Sequence, residues 1–209
     1  MSKHTSHYHC FVRGIVARRR CFLFRGNSRE LVYPARGTVW EASARDDAMC
    51  DAFILFTVSE LEAYLEGILR DSIELYENMA HESILKKCGA FSDFGEKFNK
   101  KKEALTKNNN ANWSRISHFF TFIGLSRDAH FPQDFWDDVE IIVKHRGDLA
   151  HNGVSMKIIE DRRNVIQKAE EVIRKVRIFD LSLHAWILSM RSEVARLGGL
   201  SLKFEPEFE

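Results

Sequence analysis

The chain has 209 residues, of which 44% are hydrophobic and 29% are charged, a composition typical of a folded globular chain that excludes wholesale disorder. Three prolines and 11 glycines are too few for the frequent turns of a many-stranded β-sandwich, so an all-α fold is favoured. The net charge of +1 does not by itself indicate a class of partner.

Residues 1–43 are predicted to form a basic N-terminal extension. Positions 1–45 contain nine basic and two acidic residues, which is typical either of a nucleic-acid-binding arm or of a solvated tail. Residues 1–43 have no sustained helical period, and the segments 21–24 and 30–33 lie either side of a short loop, which indicates an irregular or β-hairpin structure. The consecutive arginines are candidate contacts to RNA phosphates: Arg18, Arg19 and Arg20.

A long amphipathic helix is predicted from Asp46 to about Met79. Its apolar residues recur at three- and four-residue spacing and form one stripe: Ile54, Val58, Leu61, Leu65, Ile68 and Leu69. A more polar helical stretch follows at 81–107, interrupted near Gly89 and Gly95. Its lysines are either RNA contacts or a solvated basic face: Lys100, Lys101 and Lys102.

Three more helices are predicted in the second half of the chain. A short apolar helix covers 114–123, a second begins at Pro132 and ends at 152–153, and a long one covers about 157–190. These elements predict an antiparallel up-and-down helical bundle over 44–195, followed by an acidic tail at 196–209.

The motif at 144–153 carries the clearest chemical signal. Arg146 and His151 are separated by about 140° around a helix, and a guanidinium with an imidazole suits a phosphate site. The alternative interpretation is structural, with Arg146 paired to an acid such as Asp148 and with His151 capping the helix C-terminus. Glu62 lies at the flank of the apolar stripe, where it either orients His151 or Arg146 or reaches solvent.

Two segments resemble HEPN domains. Arg146 to His151 resembles the Arg-x4-6-His signature of that family, and the following Asn152-Gly153 is similar to the ending often found after it. Val58 to Glu66, which contains Glu-Ala-Tyr, resembles the corresponding segment of HEPN subfamilies linked to RNA cleavage and host defence. The resemblance covers roughly residues 44–180.

The resemblance implies a four-helix bundle that forms a two-fold dimer and cleaves RNA without a metal or cofactor. It implies that His151 is a general acid or base and that Arg146 stabilises charge on phosphorus during attack by the ribose 2′-hydroxyl. Asp148 and Glu62 complete the candidate catalytic set, with Lys144 and Asn152 as further RNA contacts. It also implies a toxin or phage-defence setting, in which a cognate antitoxin or another defence protein is the expected partner.

One departure from the family pattern keeps a second hypothesis open. The family usually has a polar residue directly after the arginine, whereas this chain has Gly147. The alternative is therefore a non-catalytic HEPN bundle that binds RNA, a nucleotide or a protein, and a third hypothesis is a purely structural helical dimer.

The expected location is the cytoplasm. No stretch approaches the roughly 20 apolar residues of a membrane span, and no apolar run near the N-terminus follows a basic lead. The four cysteines have no CxxC spacing, and the N-terminal His and Cys residues have no second cluster that would complete a zinc site.

Overall fold

The computed structural model describes residues 4–22, 40–80, 91–107, 111–152 and 162–198. All regular structure in these ranges is helical, which confirms the predicted all-α class. The helices are α1 (Ser6–Phe22), α2 (Trp40–Ala80), α3 (Phe91–Thr106), α4 (Trp113–Phe122), α5 (Arg127–His130), α6 (Phe135–Asn152) and α7 (Arg162–Gly198).

Helix α1 is the largest correction to the sequence analysis. The predicted irregular or hairpin start is wrong for residues 6–22, which form a helix with Phe11 and Ile15 buried in the core. These two residues lie one turn apart, so a single short apolar face is enough to hold α1 against its neighbours. The second predicted hairpin segment, 30–33, lies outside the described residues.

Helix α2 forms the centre of the fold, as its apolar stripe predicts. All six predicted stripe residues are at most 2% exposed, and the helix begins at Trp40, six residues before the predicted start. Helix α3 is continuous through Gly95, so the predicted interruption there is wrong. Helix α6 begins at Phe135 rather than Pro132, because Asp134 has a positive φ of 56° that no helix accommodates.

Side-chain contacts show that α1 runs opposite to α2 and to α7, so α2 and α7 run parallel, and that α6 runs opposite to α7. His7 of α1 contacts Asp71 of α2, whereas Phe22 at the other end of α1 stacks on Phe56. Helix α7 runs antiparallel to α1, since Thr5 contacts Asp180 and the later Arg19 contacts the earlier Glu170. Helix α6 is antiparallel to α7 through the contacts Phe135–Phe179 and Asp138–Lys168.

Four long helices therefore enclose the core, and the shorter ones lie in the connection between α2 and α6. An aromatic cluster from this connection and from α6 and α7 fills one end of the core: Trp113, Phe120, Phe131, Trp136 and Phe179. Burial of large aromatic side chains contributes much of the hydrophobic stabilisation of a core of this size.

Candidate functional site

The structure brings together the two segments that carry the candidate catalytic residues. Arg146 Nη1 of α6 donates a hydrogen bond to Glu62 Oε1 of α2 over 3.1 Å. The Glu62 side chain is 16% exposed and that of Arg146 is 31% exposed, so the ion pair is half-buried at the junction of the two helices. About a third of the Arg146 side chain is exposed, so an anion can approach this residue without full displacement of the pair.

The carboxyl group of Glu62 is held in a partly desolvated position. Burial raises the pKa of Glu62 above its ordinary value of 4.5, while the Arg146 guanidinium and the backbone N–H of Ala111 lower it. The raised pKa means that burial outweighs the two favourable contacts.

A second acid–base pair joins the same two helices and was not singled out from the sequence. His145 Nε2 lies 3.6 Å from Asp51 Oδ1, and the two side chains are 8% and 9% exposed. This distance is longer than that of a hydrogen bond. His145 and Arg146 are consecutive residues of α6, and each contacts an acid of α2.

The remaining motif residues lie elsewhere on α6. Asp148 is half-exposed and is two residues from Arg146, on the opposite side of the helix, and Lys144 is exposed on that same side. Among the described residues Arg146 is paired with Glu62 and not with Asp148. Helix α6 extends through His151 to Asn152 as predicted, and the side chains of these two residues lie outside the described part.

The arginines of α1 divide between paired and exposed positions. Arg18 lies 3.7 Å from Glu60 and also over the ring of Phe56, 4.5 Å from its centroid. Arg19 contacts Glu170 of α7 over 3.2 Å, and Arg20 is exposed. Two of the three candidate RNA contacts are therefore also ion pairs that attach α1 to its neighbours.

The three lysines of α3 have different surroundings. Lys100 is paired with Glu96 one turn earlier on the exposed face, and Lys102 is paired with Glu77 of α2. Lys101 lies over the ring of Phe119, with its Nζ 5.5 Å from the centroid. Each lysine thus has a structural contact beside its candidate role in binding RNA.

A buried polar cluster around Asp180 also went unrecognised in the sequence. Asp180 is fully buried and accepts hydrogen bonds from the Thr5 backbone N–H, the Thr5 hydroxyl and the Tyr64 hydroxyl at 3.0, 2.5 and 3.0 Å. His4 Nδ1 lies 3.0 Å from the same carboxylate. Tyr64 belongs to the Glu-Ala-Tyr segment, where its place in the apolar pattern of α2 indicates packing but not this hydrogen bond.

Within the described ranges there is no group of three or more His, Cys, Asp or Glu side chains placed to hold a metal ion. No helix in the same ranges combines the length and the apolar character needed to cross a bilayer.

Comparison of the chain with protein-family models, with curated proteins and with solved structures finds no match.

Proposed function

We propose that this chain is a HEPN-type endoribonuclease that acts as a homodimer and cleaves RNA without a metal. The observation that carries the proposal is the hydrogen bond between Arg146 and Glu62. Each of these residues belongs to one of the two segments that resemble the family, and the segments are more than 80 residues apart in the chain. A shared structural role for the two segments supports a shared site.

The proposed reaction is transesterification within one RNA strand. The ribose 2′-oxygen attacks the adjacent phosphorus, a bond from that oxygen to phosphorus forms, and the bond to the 5′-oxygen of the next nucleotide breaks. His151 accepts the hydroxyl proton or donates one to the leaving oxygen, and Arg146 stabilises the charge on the phosphoryl oxygens. The products are a 2′,3′-cyclic phosphate and a 5′-hydroxyl.

Dimerisation is part of the proposal because of the geometry of α6. Positions 146 and 151 are about 140° apart around the helix, so one copy presents them to different directions. A two-fold interface places the same surface of both copies together, and residues on diverging faces then contribute to one groove. The proposed dimer therefore supplies two copies of each residue to a single RNA-binding cleft.

The test is cleavage of a labelled RNA by the purified chain in EDTA. The expected result is cleavage by the wild type, loss of cleavage in Arg146→Ala and His151→Ala, and no cleavage when the RNA is replaced by DNA, which lacks the 2′-hydroxyl. Arg115→Ala, which removes an exposed arginine of α4, and His184→Ala are matched controls that should remain active.

Circular dichroism must show that all four variants are folded. Cleavage that survives both Arg146→Ala and His151→Ala would overturn the proposal.

A second candidate function is RNA binding without cleavage, and Gly147 favours it. Glycine has no side chain that could orient the neighbouring Arg146. A Cβ added at Gly147 would have no described atom within 4 Å, so the position faces open space. Salt-dependent RNA binding, with intact RNA after long incubation, would select this function over catalysis.

A further inference from the structure

Two hydrogen-bond donors from separate segments converge on the carboxyl group of Glu62. Arg146 Nη1 of α6 donates over 3.1 Å, and the backbone N–H of Ala111 donates as well. Ala111 directly precedes Asn112, the N-cap residue of α4, so its amide lies beside the positive end of that helix. A guanidinium and a backbone amide are donors that proteins use to hold phosphate oxygens.

A carboxylate of the chain itself therefore occupies a place suited to a phosphate oxygen. Both groups present negatively charged oxygens that accept hydrogen bonds from N–H donors. Among the described residues no other acid forms an ion pair with Arg146, and Asp148 lies on the opposite side of α6. Removal of the carboxylate of Glu62 alone would thus leave this pair of donors ready for another anion.

Three features make the contact between Glu62 and Arg146 exchangeable. It is one hydrogen bond through Nη1, whereas a guanidinium can hold an oxyanion by two parallel bonds. The two side chains are half-buried, so neither is sealed from water. Burial raises the pKa of Glu62 in spite of both donors, which means that the ionised carboxylate is less favourable here than in water.

We infer that Glu62 is an internal competitor of the RNA backbone: a phosphodiester of bound RNA replaces its carboxylate as the acceptor for Arg146 and for the Ala111 amide. The phosphate first meets the exposed part of Arg146, and Glu62 then turns toward water. The inference rests on the proposed function for the identity of its ligand. It gives Glu62 a role opposite to that of a residue that orients Arg146 for catalysis.

The exchange has an energetic reason. A half-buried guanidinium without a partner is costly, and the carboxylate supplies that partner while no RNA is bound. One anion then replaces another, so Arg146 is paired in both states. The cost of this arrangement is a lower apparent affinity for RNA, because only the fraction of molecules with Glu62 turned away can bind the phosphate at this point.

The test measures binding of a short fluorescent 2′-O-methyl RNA to the full chain by anisotropy, at one salt concentration. This strand keeps its phosphates but has no free 2′-hydroxyl, so it stays intact even with an active nuclease. Glu62→Gln preserves the shape of the side chain and removes its charge. This variant should bind the strand about fivefold tighter or more, because the competing anion is absent.

Matched variants assign the gain in affinity to Arg146. Glu74→Gln removes the same charge from an exposed position of α2 and should leave the affinity close to that of the wild type. Arg146→Gln, combined with Glu62→Gln, should abolish the gain. Glu62→Met, a second uncharged side chain of similar length, should reproduce it, and thermal melting shows that each variant is folded.

Equal, weaker or absent binding of the strand by folded Glu62→Gln and Glu62→Met would overturn the inference. A gain that survives Arg146→Gln, or that Glu74→Gln reproduces, would overturn it as well. Cleavage of ordinary RNA in EDTA decides the proposed nuclease separately. Uncut RNA together with tighter binding by Glu62→Gln would refute the nuclease and keep the competing role of Glu62, whereas cleavage without that gain would do the reverse.

Discussion

At the scale of single residues, Arg146 forms an ion pair with the partly buried carboxyl group of Glu62. Arg146→Met should raise the pKa of Glu62 further and destabilise the fold by about 1–3 kcal/mol near neutral pH, because a partly buried carboxylate loses its partner. An acid whose pKa is raised by folding contributes stability below its unfolded pKa and loses it as the pH rises. The stability difference between variant and wild type should therefore grow as the pH increases from 4.5.

Urea unfolding between pH 4 and pH 8 measures this difference. In the control Arg146→Met with Glu62→Gln the residue at 62 has no charge, so the loss of stability should be smaller and independent of pH. A loss of unfolding free energy in Arg146→Met that is the same at every pH, and that Glu62→Gln does not reduce, would show that Arg146 does not stabilise the charged carboxyl group.

The hydroxyl of Tyr64 is a second residue with a measurable role. Tyr64→Phe removes one donor from the buried carboxylate of Asp180 and should cost about 1.5–3 kcal/mol of unfolding free energy, the usual range for a hydrogen bond to a charged group. Burial, together with the charge of Asp180, raises the pKa of Tyr64 well above 10. The wild type should therefore also lose stability as the pH rises above the pKa of a tyrosine in the unfolded chain.

Tyr76→Phe is the matched control, because Tyr76 is half-buried and contacts aromatic rings instead of a carboxylate. Equal unfolding free energies for Tyr64→Phe and wild type in urea would show that the hydrogen bond from Tyr64 to Asp180 does not stabilise the fold.

At the scale of helices, two glycines test helix propensity without packing effects. Gly147 of α6 and Gly95 of α3 have no described atom within 4 Å of an added Cβ. Replacement of either by alanine should raise stability by up to about 1 kcal/mol, because glycine is the less favourable residue inside a helix.

Gly67 provides the contrast. Its added Cβ would lie 2.4 Å from the ring of His7, so the ring would have to move and lose its 2.8 Å contact with Asp71. Gly67→Ala should therefore give no gain or a loss in urea unfolding, and a gain equal to that of Gly95→Ala would contradict the close approach of α1 to α2.

Asp138 joins α6 to α7 and should make the fold sensitive to acid. Burial alone would raise the pKa of Asp138, but hydrogen bonds from Lys168 and Lys175 outweigh it and lower the pKa below 3.8. An acid with a lowered pKa contributes stability above its unfolded pKa and loses it as the pH falls further.

Asp138→Asn should therefore destabilise the protein at pH 7 much more than at pH 2, as measured by thermal unfolding at the two values. A cost that is unchanged by pH would show that the lysines do not stabilise the ionised form.

The long helices were predictable and α1 was not, for a reason that lies in their apolar patterns. The stripe of α2 repeats over several turns, and this periodicity is unambiguous in one sequence. In α1 only Phe11 and Ile15 are buried, Tyr8, Val12 and Phe22 are partly buried against the core, and arginines and a glycine interrupt the pattern. The spacing of Tyr8, Phe11 and Ile15 was the available signal, and it is too short to separate from a chance pattern.

At the scale of the whole molecule, contacts between distant segments decide what the sequence leaves open. Local spacing predicts that Glu62 lies at the edge of the α2 stripe, but not whether it faces Arg146, His151 or solvent. That choice depends on how α6 is rotated against α2, which is fixed by the packing of both helices and not by either alone. The contacts of Tyr64 with Asp180 and of Asp51 with His145 were missed for the same reason.

The proposed dimer is also a property of the whole molecule. Each chain forms a bundle of four long helices, in which α6 contacts both α2 and α7. We expect the RNA cleft to lie where α6 of one copy meets α6 of the other, with both copies of Arg146 near it. As the protein is diluted, the dimer measured by sedimentation and the rate of RNA cleavage should therefore be lost over the same concentration range.

The most direct test of the proposed nuclease is analysis of the RNA ends formed in a single-turnover reaction in EDTA. Attack by the ribose 2′-hydroxyl predicts 2′,3′-cyclic phosphate and 5′-hydroxyl ends from the wild type, and no such ends from His151→Ala or Arg146→Ala. Uncut RNA after prolonged incubation with the folded wild type, or the same ends appearing at the same rate with either variant, would contradict this mechanism.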